Sequence, residues 1–322
     1  MLMTDQHPHN KHLMVALLGK PNAGKSTLAN QLLGFDLSIV SSKPQTTRNH
    51  FQAVFVVDRT EIVLVDTPGA HSSNQEINIR MTGQAQFGAE GVDLNLLLVD
   101  LNNDPLQDVI DFKKAFDREL SKTWVLFTKQ DRANKSEEEM DELFAKIKEL
   151  IPSVERYIPI SAKTGDNIHT LTGALVDEAK PGPHFYPQGD VSNKNMRFFA
   201  SEYIREQAFK ILKDELPYEL AVVVDDYQDP MTTKDGKEFD CKISATILVN
   251  RPSQRAIVVG SKGSVIKQIG TNARKKIEAM VGARTHLNLH VKVSPKWFKN
   301  NYVLDELGLP RTNKSNRVWR QK

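Results

Sequence analysis

The sequence predicts an α/β domain, with a mostly parallel sheet and helices on both faces, followed by a smaller α+β domain. Apolar runs of strand length alternate with helical patterns from residue 13 to residue 177, the rhythm of a sheet covered on both sides. Pro181-Gly182-Pro183-His184-Phe185-Tyr186-Pro187 then breaks it, because three prolines and a glycine cannot continue a helix. Beyond the break the order becomes helix, hairpin, helices and strand. At 322 residues the chain can bury two cores.

Strands are expected at 13–18, 51–57, 62–66, 94–100, 124–128 and 157–160, with helices at 27–33, 140–150 and 167–177. Ile168, Leu171 and Leu175 fall at i, i+3 and i+7 in the last of these. Residues 51–57 and 62–65, joined by Asp58-Arg59-Thr60-Glu61, read as the one antiparallel pair. Past the break, a helix is expected at 198–212 and a hairpin from 219–224 and 239–249. The apolar residues 256–259 read as extended, followed after Gly260 by a helix, a second helix near 272–281 and a strand at 285–293. There is no internal repeat.

Residues 1–12 are polar, lack the apolar core of a signal peptide and read as disordered. The domain boundaries follow: 13–180 for the first domain, 181–190 for a linker, 191–300 for the second domain and 301–322 for a basic tail. No apolar run approaches membrane-spanning length. Cys241 is the only cysteine, which excludes an intrachain disulfide and fits a reducing compartment. Net charge is −6 over residues 1–180, −5 over 181–240 and +14 over 241–322. A cationic end on an otherwise acidic chain points to an anionic polymer or a membrane surface as partner.

The first chemical motif is Gly19-Lys20-Pro21-Asn22-Ala23-Gly24-Lys25-Ser26, between a strand and the helix opening at Thr27. This is the strand–loop–helix setting of a phosphate-binding loop. The glycines let backbone N–H groups turn inward, and the helix adds its positive end. Lys25 is expected to reach the β/γ oxygens of a nucleoside triphosphate and Ser26 to ligate Mg²⁺. Asp66-Thr67-Pro68-Gly69 closes the strand at 62–66, where Asp66 can hold a Mg²⁺-bound water and the Gly69 N–H can approach the γ-phosphate. Taken alone it is also a common turn.

Thr128-Lys129-Gln130-Asp131 ends the next relevant strand. The Asp131 carboxylate can accept from guanine N1–H and the exocyclic amine, which adenine does not offer. The Lys129 stem can cover the base plane, and Ser161-Ala162-Lys163 can offer backbone N–H to guanine O6. Capping roles for Asp131 or Ser161 are the plainer alternatives.

With Gln45-Thr46-Thr47-Arg48 added, these segments resemble the five nucleotide motifs of translation-factor-related GTPases. The resemblance implies GTP/GDP and Mg²⁺ as cofactors, with Ser26, Asp66 and one of Thr46 or Thr47 at the metal; Thr47 is favoured. Thr128 stands where that family usually has Asn, which puts the tie between loops in doubt. Ala70 replaces the water-orienting Gln of many small GTPases. His71 reads either as a general base or as a solvated switch-loop residue. Asn22 resembles the asparagine with which related GTPases hold a monovalent cation. Slow intrinsic hydrolysis, helped by K⁺, is therefore expected, with Lys25, Asn22, Thr47, Asp66 and Gly69 as the candidate catalytic residues.

In the second domain, Gly260-Ser261-Lys262-Gly263 is a G-x-x-G loop ahead of a helix carrying Ile266, Lys267 and Ile269. In KH domains such a loop clamps about four unpaired nucleotides. Lys262, Lys267, Arg274 and Lys275 are the candidate phosphate contacts beside the two glycines and Ser261. The element order is similar to a type II KH domain. A GTPase domain joined to such a domain, with Ser201-Glu202-Tyr203-Ile204-Arg205-Glu206, Glu215-Leu216-Pro217-Tyr218 and Val291-Lys292-Val293 before Trp297, resembles the Era-like family of bacterial GTPases over residues 13–309.

That resemblance implies a monomeric cytoplasmic switch, peripheral to the membrane at most, that binds single-stranded RNA at the 3′ end of 16S rRNA during 30S subunit assembly. GTP state would set the orientation of the KH domain, and hydrolysis would release the protein. An RNA-binding assembly module with GTP as a structural ligand, and a membrane-associated signalling GTPase, are the alternatives.

Overall fold

The computed structural model describes residues 7–39, 47–69, 76–116, 118–133, 135–233, 236 and 238–309. Its first domain runs β1 (Lys11–Leu18), α1 (Lys25–Leu33), β2 (Phe51–Val57), β3 (Thr60–Asp66), α2 (Glu76–Gly88), β4 (Leu94–Asp100), α3 (Pro105–Ala115), β5 (Thr123–Thr128), α4 (Glu137–Leu150), β6 (Val154–Pro159) and α5 (Ile168–Glu178). Strand order is β2-β3-β1-β4-β5-β6. Only β2 runs antiparallel along that path, pairing with β3 through the expected hairpin. Strands β3, β4 and β5 are buried at every residue, which is why they read as continuous apolar runs rather than alternating ones.

Successive β1 residues point to opposite faces. Leu13, Val15 and Leu17 join the core under α1 and α5, while Ala16 and Leu18 join the core under α3 and α4. Helix starts are set locally. Asp104 accepts from Gln107 N–H ahead of Pro105, and Ser136 and Glu139 form a reciprocal capping box. The C-terminal strand ends all open at one edge, bringing the phosphate loop, Asp66, Thr128 and Ser161 together.

Several expected boundaries move. Lys11 and His12 are strand, not disordered N-terminus. The last strand begins at Val154 and stops at Pro159; its exposed Glu155 and Arg156 hid the apolar alternation. The segment expected as a free linker is fastened to the first domain. Lys180–Pro181 (β7) pairs with Lys11 and His12, Phe185 and Tyr186 N–H donate to the buried Glu61 carboxylate, and Val54 N–H donates to Val191 O. Prolines end a helix but can still lie along a strand whose other bonds are complete.

The second domain contains α6 (Met196–Ile211), β8 (Ala221–Gln228), the short pair β9 (Met231–Thr232) and β10 (Glu238–Phe239), then β11 (Cys241–Val249), α7 (Pro252–Val259), α8 (Ser264–Val281), β12 (Thr285–Val293) and α9 (Asn301–Glu306). Its sheet is β12-β11-β8, with β8 antiparallel and β12 parallel to β11. Residues 256–259 are helical rather than extended. Pro252 sets the first turn of α7, and Val258 turns inward while Ile257 stays in solvent.

The two helices expected after Gly260 are one helix of 18 residues. Gly270 lies inside it, where α8 passes so close to β12 that a Cβ would stand 3.3 Å from Leu289 Cδ1. Residues 301–309 are not tail. Leu304 and Leu309 are buried with Trp297 against Ile77 and Met81 of the first domain. Residues 310–322 lie outside the described residues. Among the described residues, no helix is long and apolar enough to cross a membrane.

Candidate nucleotide and nucleic-acid sites

Gly19 and Gly24 both take positive φ, at 138° and 101°. A Cβ on Gly19 would stand 2.6 Å from Leu98 O, so only glycine lets the loop leave β1 there. Gly24 precedes the first turn of α1 and exposes its N–H groups. Lys25 is buried, and its ammonium donates to Gly19 O at 3.1 Å and Lys20 O at 2.9 Å. Burial pushes its pKa down to about 8, with Asp66 opposing the shift. The Lys20 side chain leaves the cradle altogether and pairs with Asp108 and Asp111 on α3, at 2.8 and 3.1 Å.

Ser26 Oγ stands 2.8 Å from Thr47 Oγ1 and 3.2 Å from Asp66 Oδ2. The three expected metal residues, Thr47 among them, therefore meet. Thr46, Ala70 and His71 lie outside the described residues. Asp66 is fully buried, and burial raises its pKa to about 6 against the pull of Lys25. Its Oδ1 has no hydrogen-bond partner among the described residues. A buried carboxylate oxygen left unpaired beside two hydroxyls fits a hard divalent cation.

Thr67 Oγ1 donates to Leu17 O at 2.5 Å, tying the turn to β1. Gly69 lies so close to the phosphate loop that a Cβ would meet Pro21 N at 2.5 Å. Gly69 thereby packs its backbone directly on the cradle. Asn22 is exposed, with φ of 65°.

At the base side, Thr128 Oγ1 donates to Ala23 O at 2.8 Å. The strand end and phosphate loop are thus tied without the usual Asn. Ser161 Oγ donates to Asp131 Oδ1 at 2.7 Å, joining two of the expected guanine residues. Lys163 is exposed and Ala162 half-buried.

Asp100 and Asn102 were not singled out by the sequence. Asp100 accepts from Lys129 Nζ at 2.6 Å, and Asn102 Nδ2 donates to Lys129 O at 3.1 Å. Burial would raise the Asp100 pKa, but Lys129 and Asn102 hold it below the ordinary value. The available signal was a carboxylate closing a largely apolar strand.

In the second domain Gly260 and Gly263 have φ of 73° and 76°. A Cβ on Gly260 would meet Val265 Cγ2 at 2.5 Å. Ser261 and Lys262 are exposed at the turn, and Gly263 precedes the first turn of α8. A groove of about 240 Å³ lies between α8 and β12, floored by Ile266, Gly270, Leu287 and Leu289 and flanked by Lys267 and Arg274. Lys267, Gly270, Thr271 and Arg274 share one helical stripe. Lys275 is exposed on the next face and does not line the groove. Apolar floor, flanking cations and an open glycine loop suit unstacked bases with their phosphates.

A family model described as a 50S ribosome-binding GTPase matches residues 14–129, and one described as a KH domain matches residues 215–298. GTPase Era of Geobacter sp. (strain M21) is 36% identical over 294 residues, covering 91% of this chain and 96% of that protein. GTPase Era of Thermotoga maritima is 35% identical over 296 residues, covering 92% and 96%. A solved structure of Era with MgGDPNP and nucleotides 1506–1542 of 16S ribosomal RNA superposes with a TM-score of 0.82 at 28% identity, covering 94% of this chain and all of that one. A single-residue variant of Aquifex aeolicus Era bound to GDP·AlF4⁻ gives a TM-score of 0.82 at 27% identity and 94% coverage of this chain.

Proposed function

The chain belongs to the GTPase Era family, and we propose that it acts as a GTP-timed clamp on the 3′ end of 16S ribosomal RNA during assembly of the 30S subunit. As a member of that family it is a GTPase. The observation that carries the reading is the pairing, in one chain, of a guanine-type cradle with a G-x-x-G loop and its cation-flanked groove. The relative solved with nucleotides 1506–1542 of that RNA supports the choice of target.

Lys25 would give up the carbonyls of Gly19 and Lys20 for phosphate oxygens, neutralising charge on the β/γ bridge. Ser26, Thr47 and Asp66 would hold Mg²⁺, which would supply positive charge against the phosphates when bound. The Gly69 N–H meets the γ-phosphate from the other side. Asp131, with one oxygen fixed by Ser161, reads the guanine edge, and Lys129, held by Asp100, lies over the base. Asn22 is the K⁺ candidate at the loop tip. The protein works as a cytoplasmic monomer, and GTP state governs how the second domain presents its groove.

The test is crosslinking of the full chain to cellular RNA in the presence of a non-hydrolysable GTP analogue, followed by sequencing of the bound RNA. Enrichment of the 16S 3′ end that is lost on Gly263→Asp is the expected result. Enrichment elsewhere overturns the target assignment.

A further inference from the structure

Three segments that neither ligand site uses converge on one side chain. Arg48 follows Thr47 directly, yet its side chain leaves the first domain and is only 5% exposed. One guanidinium nitrogen donates to Leu220 O at 2.8 Å and the other to Tyr218 O at 3.1 Å. The guanidinium carbon lies 5.6 Å from the centre of the Trp297 ring, and Trp297 Nε1 in turn donates to Glu219 O at 2.8 Å. On α6, Glu202 grips Arg205 at 2.9 and 2.6 Å. Burial and the Arg205 charge disfavour a charged Arg48, and Glu202 opposes them. The α6 motif, the Glu215-to-Tyr218 motif and Trp297 thus build one socket for the arginine after the switch threonine. Asn49 extends the joint, donating to Leu307 O at 2.6 Å.

We infer that Arg48 is a positioning residue for GTP hydrolysis. Seated in the second domain, it fixes the backbone of Thr47, so that the Thr47 hydroxyl is held at Ser26 while the domains are docked. This rests on the reading of Thr47 as the metal-side threonine. Neighbouring Cα atoms are about 3.8 Å apart, so restraint of Arg48 in its socket also restrains where the Thr47 backbone can lie. Two carbonyls bound by one planar fork set orientation as well as distance, which a lysine ammonium cannot reproduce. The coupling is reciprocal: RNA that moves the second domain changes affinity for GTP, and GTP changes affinity for that RNA by the same factor.

The experiment compares wild-type, Arg48→Lys, Glu202→Gln and Thr47→Ala full-length protein for GDP affinity, GTP-analogue affinity with Mg²⁺, and kcat and KM. Arg48→Lys is expected to lower GTP-analogue affinity and kcat each by about tenfold, with GDP affinity within about twofold of wild type. Glu202→Gln, which is isosteric and sits in the other domain, gives the same GTP-selective pattern more weakly. It supplies the test should Arg48→Lys fold poorly. Equal losses for GDP and GTP in both variants mean a merely structural role and overturn the inference. If Thr47→Ala itself shows no GTP-selective loss, the threonine reading has failed. If Thr47→Ala shows that loss and Arg48→Lys and Glu202→Gln do not, the threonine reading stands and the positioning role is wrong.

Discussion

Ser161 Oγ donates to Asp131 Oδ1 across 2.7 Å, so the end of one strand region orients the carboxylate carried by another. The other oxygen, Oδ2, lies 3.7 Å from Arg132 Nε and is the candidate acceptor for a purine edge. Asp131→Asn should reverse the preference from guanine to xanthine nucleotides and weaken GDP by about 100-fold, from two lost charge-assisted bonds. Ser161→Ala should weaken GDP by only about fivefold, with no change in base preference. Competition binding with GDP and XDP reads both. Unchanged GDP affinity in Asp131→Asn would remove the base assignment.

Thr128 keeps the loop-to-strand tie with a single hydroxyl, bonded to Ala23 O. Removing it leaves a buried carbonyl short of a donor, at a cost of about 1 kcal/mol. Thr128→Ala is therefore expected to raise the GDP dissociation constant about fivefold, measured by stopped-flow fluorescence of a labelled nucleotide. Thr128→Ser should retain wild-type affinity. If Thr128→Ala does too, the bond carries no weight in nucleotide retention.

Buried Lys25 and Asp66 make the nucleotide-free protein pH-sensitive in opposite directions. The Asp66 pKa rises from 3.8 to about 6, so between those values the folded chain keeps a proton that the unfolded chain has lost, and stability falls as pH rises. The Lys25 pKa drops from 10.5 to about 8. Between those values the unfolded chain keeps the extra proton, and stability rises with pH. Denaturation midpoints should show a minimum between about pH 6 and 8. Phosphate oxygens restore the Lys25 proton, so calorimetry near pH 9 in buffers of different ionisation heat should register uptake of up to about one proton per GDP. Absence of uptake there would contradict the buried-lysine assignment.

Gly263 adopts φ of 76° with open space where a Cβ would point. Gly263→Asp should abolish RNA binding, through strained backbone and a negative charge at the clamp, while GDP affinity stays at wild-type level. Filter binding with a single-stranded RNA reads the first effect. Persistent RNA affinity would shift the binding site to the basic residues past 309.

Hydrolysis by this chain is expected to run faster in K⁺ than in Na⁺ through Asn22, with the difference lost in Asn22→Ala. Steady-state phosphate release in matched salts decides it. Equal rates in the two salts for the wild type would exclude the cation role.

The phosphate loop, Asp66, Asp131 and Ser161 were readable in advance because each sits in a short motif at a strand end, where local sequence and position in the sheet coincide. The helix at residues 252–259 was not. Four apolar residues before a glycine fit either period, and only the packing of Val258 decides. Leu304 and Leu309 were concealed because residues 301–309 were read together with the basic residues 311–322, although both are core. The Arg48 socket had no local signature, since its carbonyl partners lie 170 and 172 residues away. Contacts of that separation are written in tertiary packing and leave no period to read.

The pairing of Lys11 with Pro181 and of His12 with Lys180 bears on how the molecule is made. The first strand of the chain sits between β3 and β4, and its remaining edge bonds come from the segment that ends the domain. During synthesis, β1 waits for β3, then β4, and finally for residues 180 and 181 to emerge. The nucleotide cradle is thus encoded almost first, while the sheet that supports it is completed last. Closure over that span is a non-local contact, of the kind that makes folding slow.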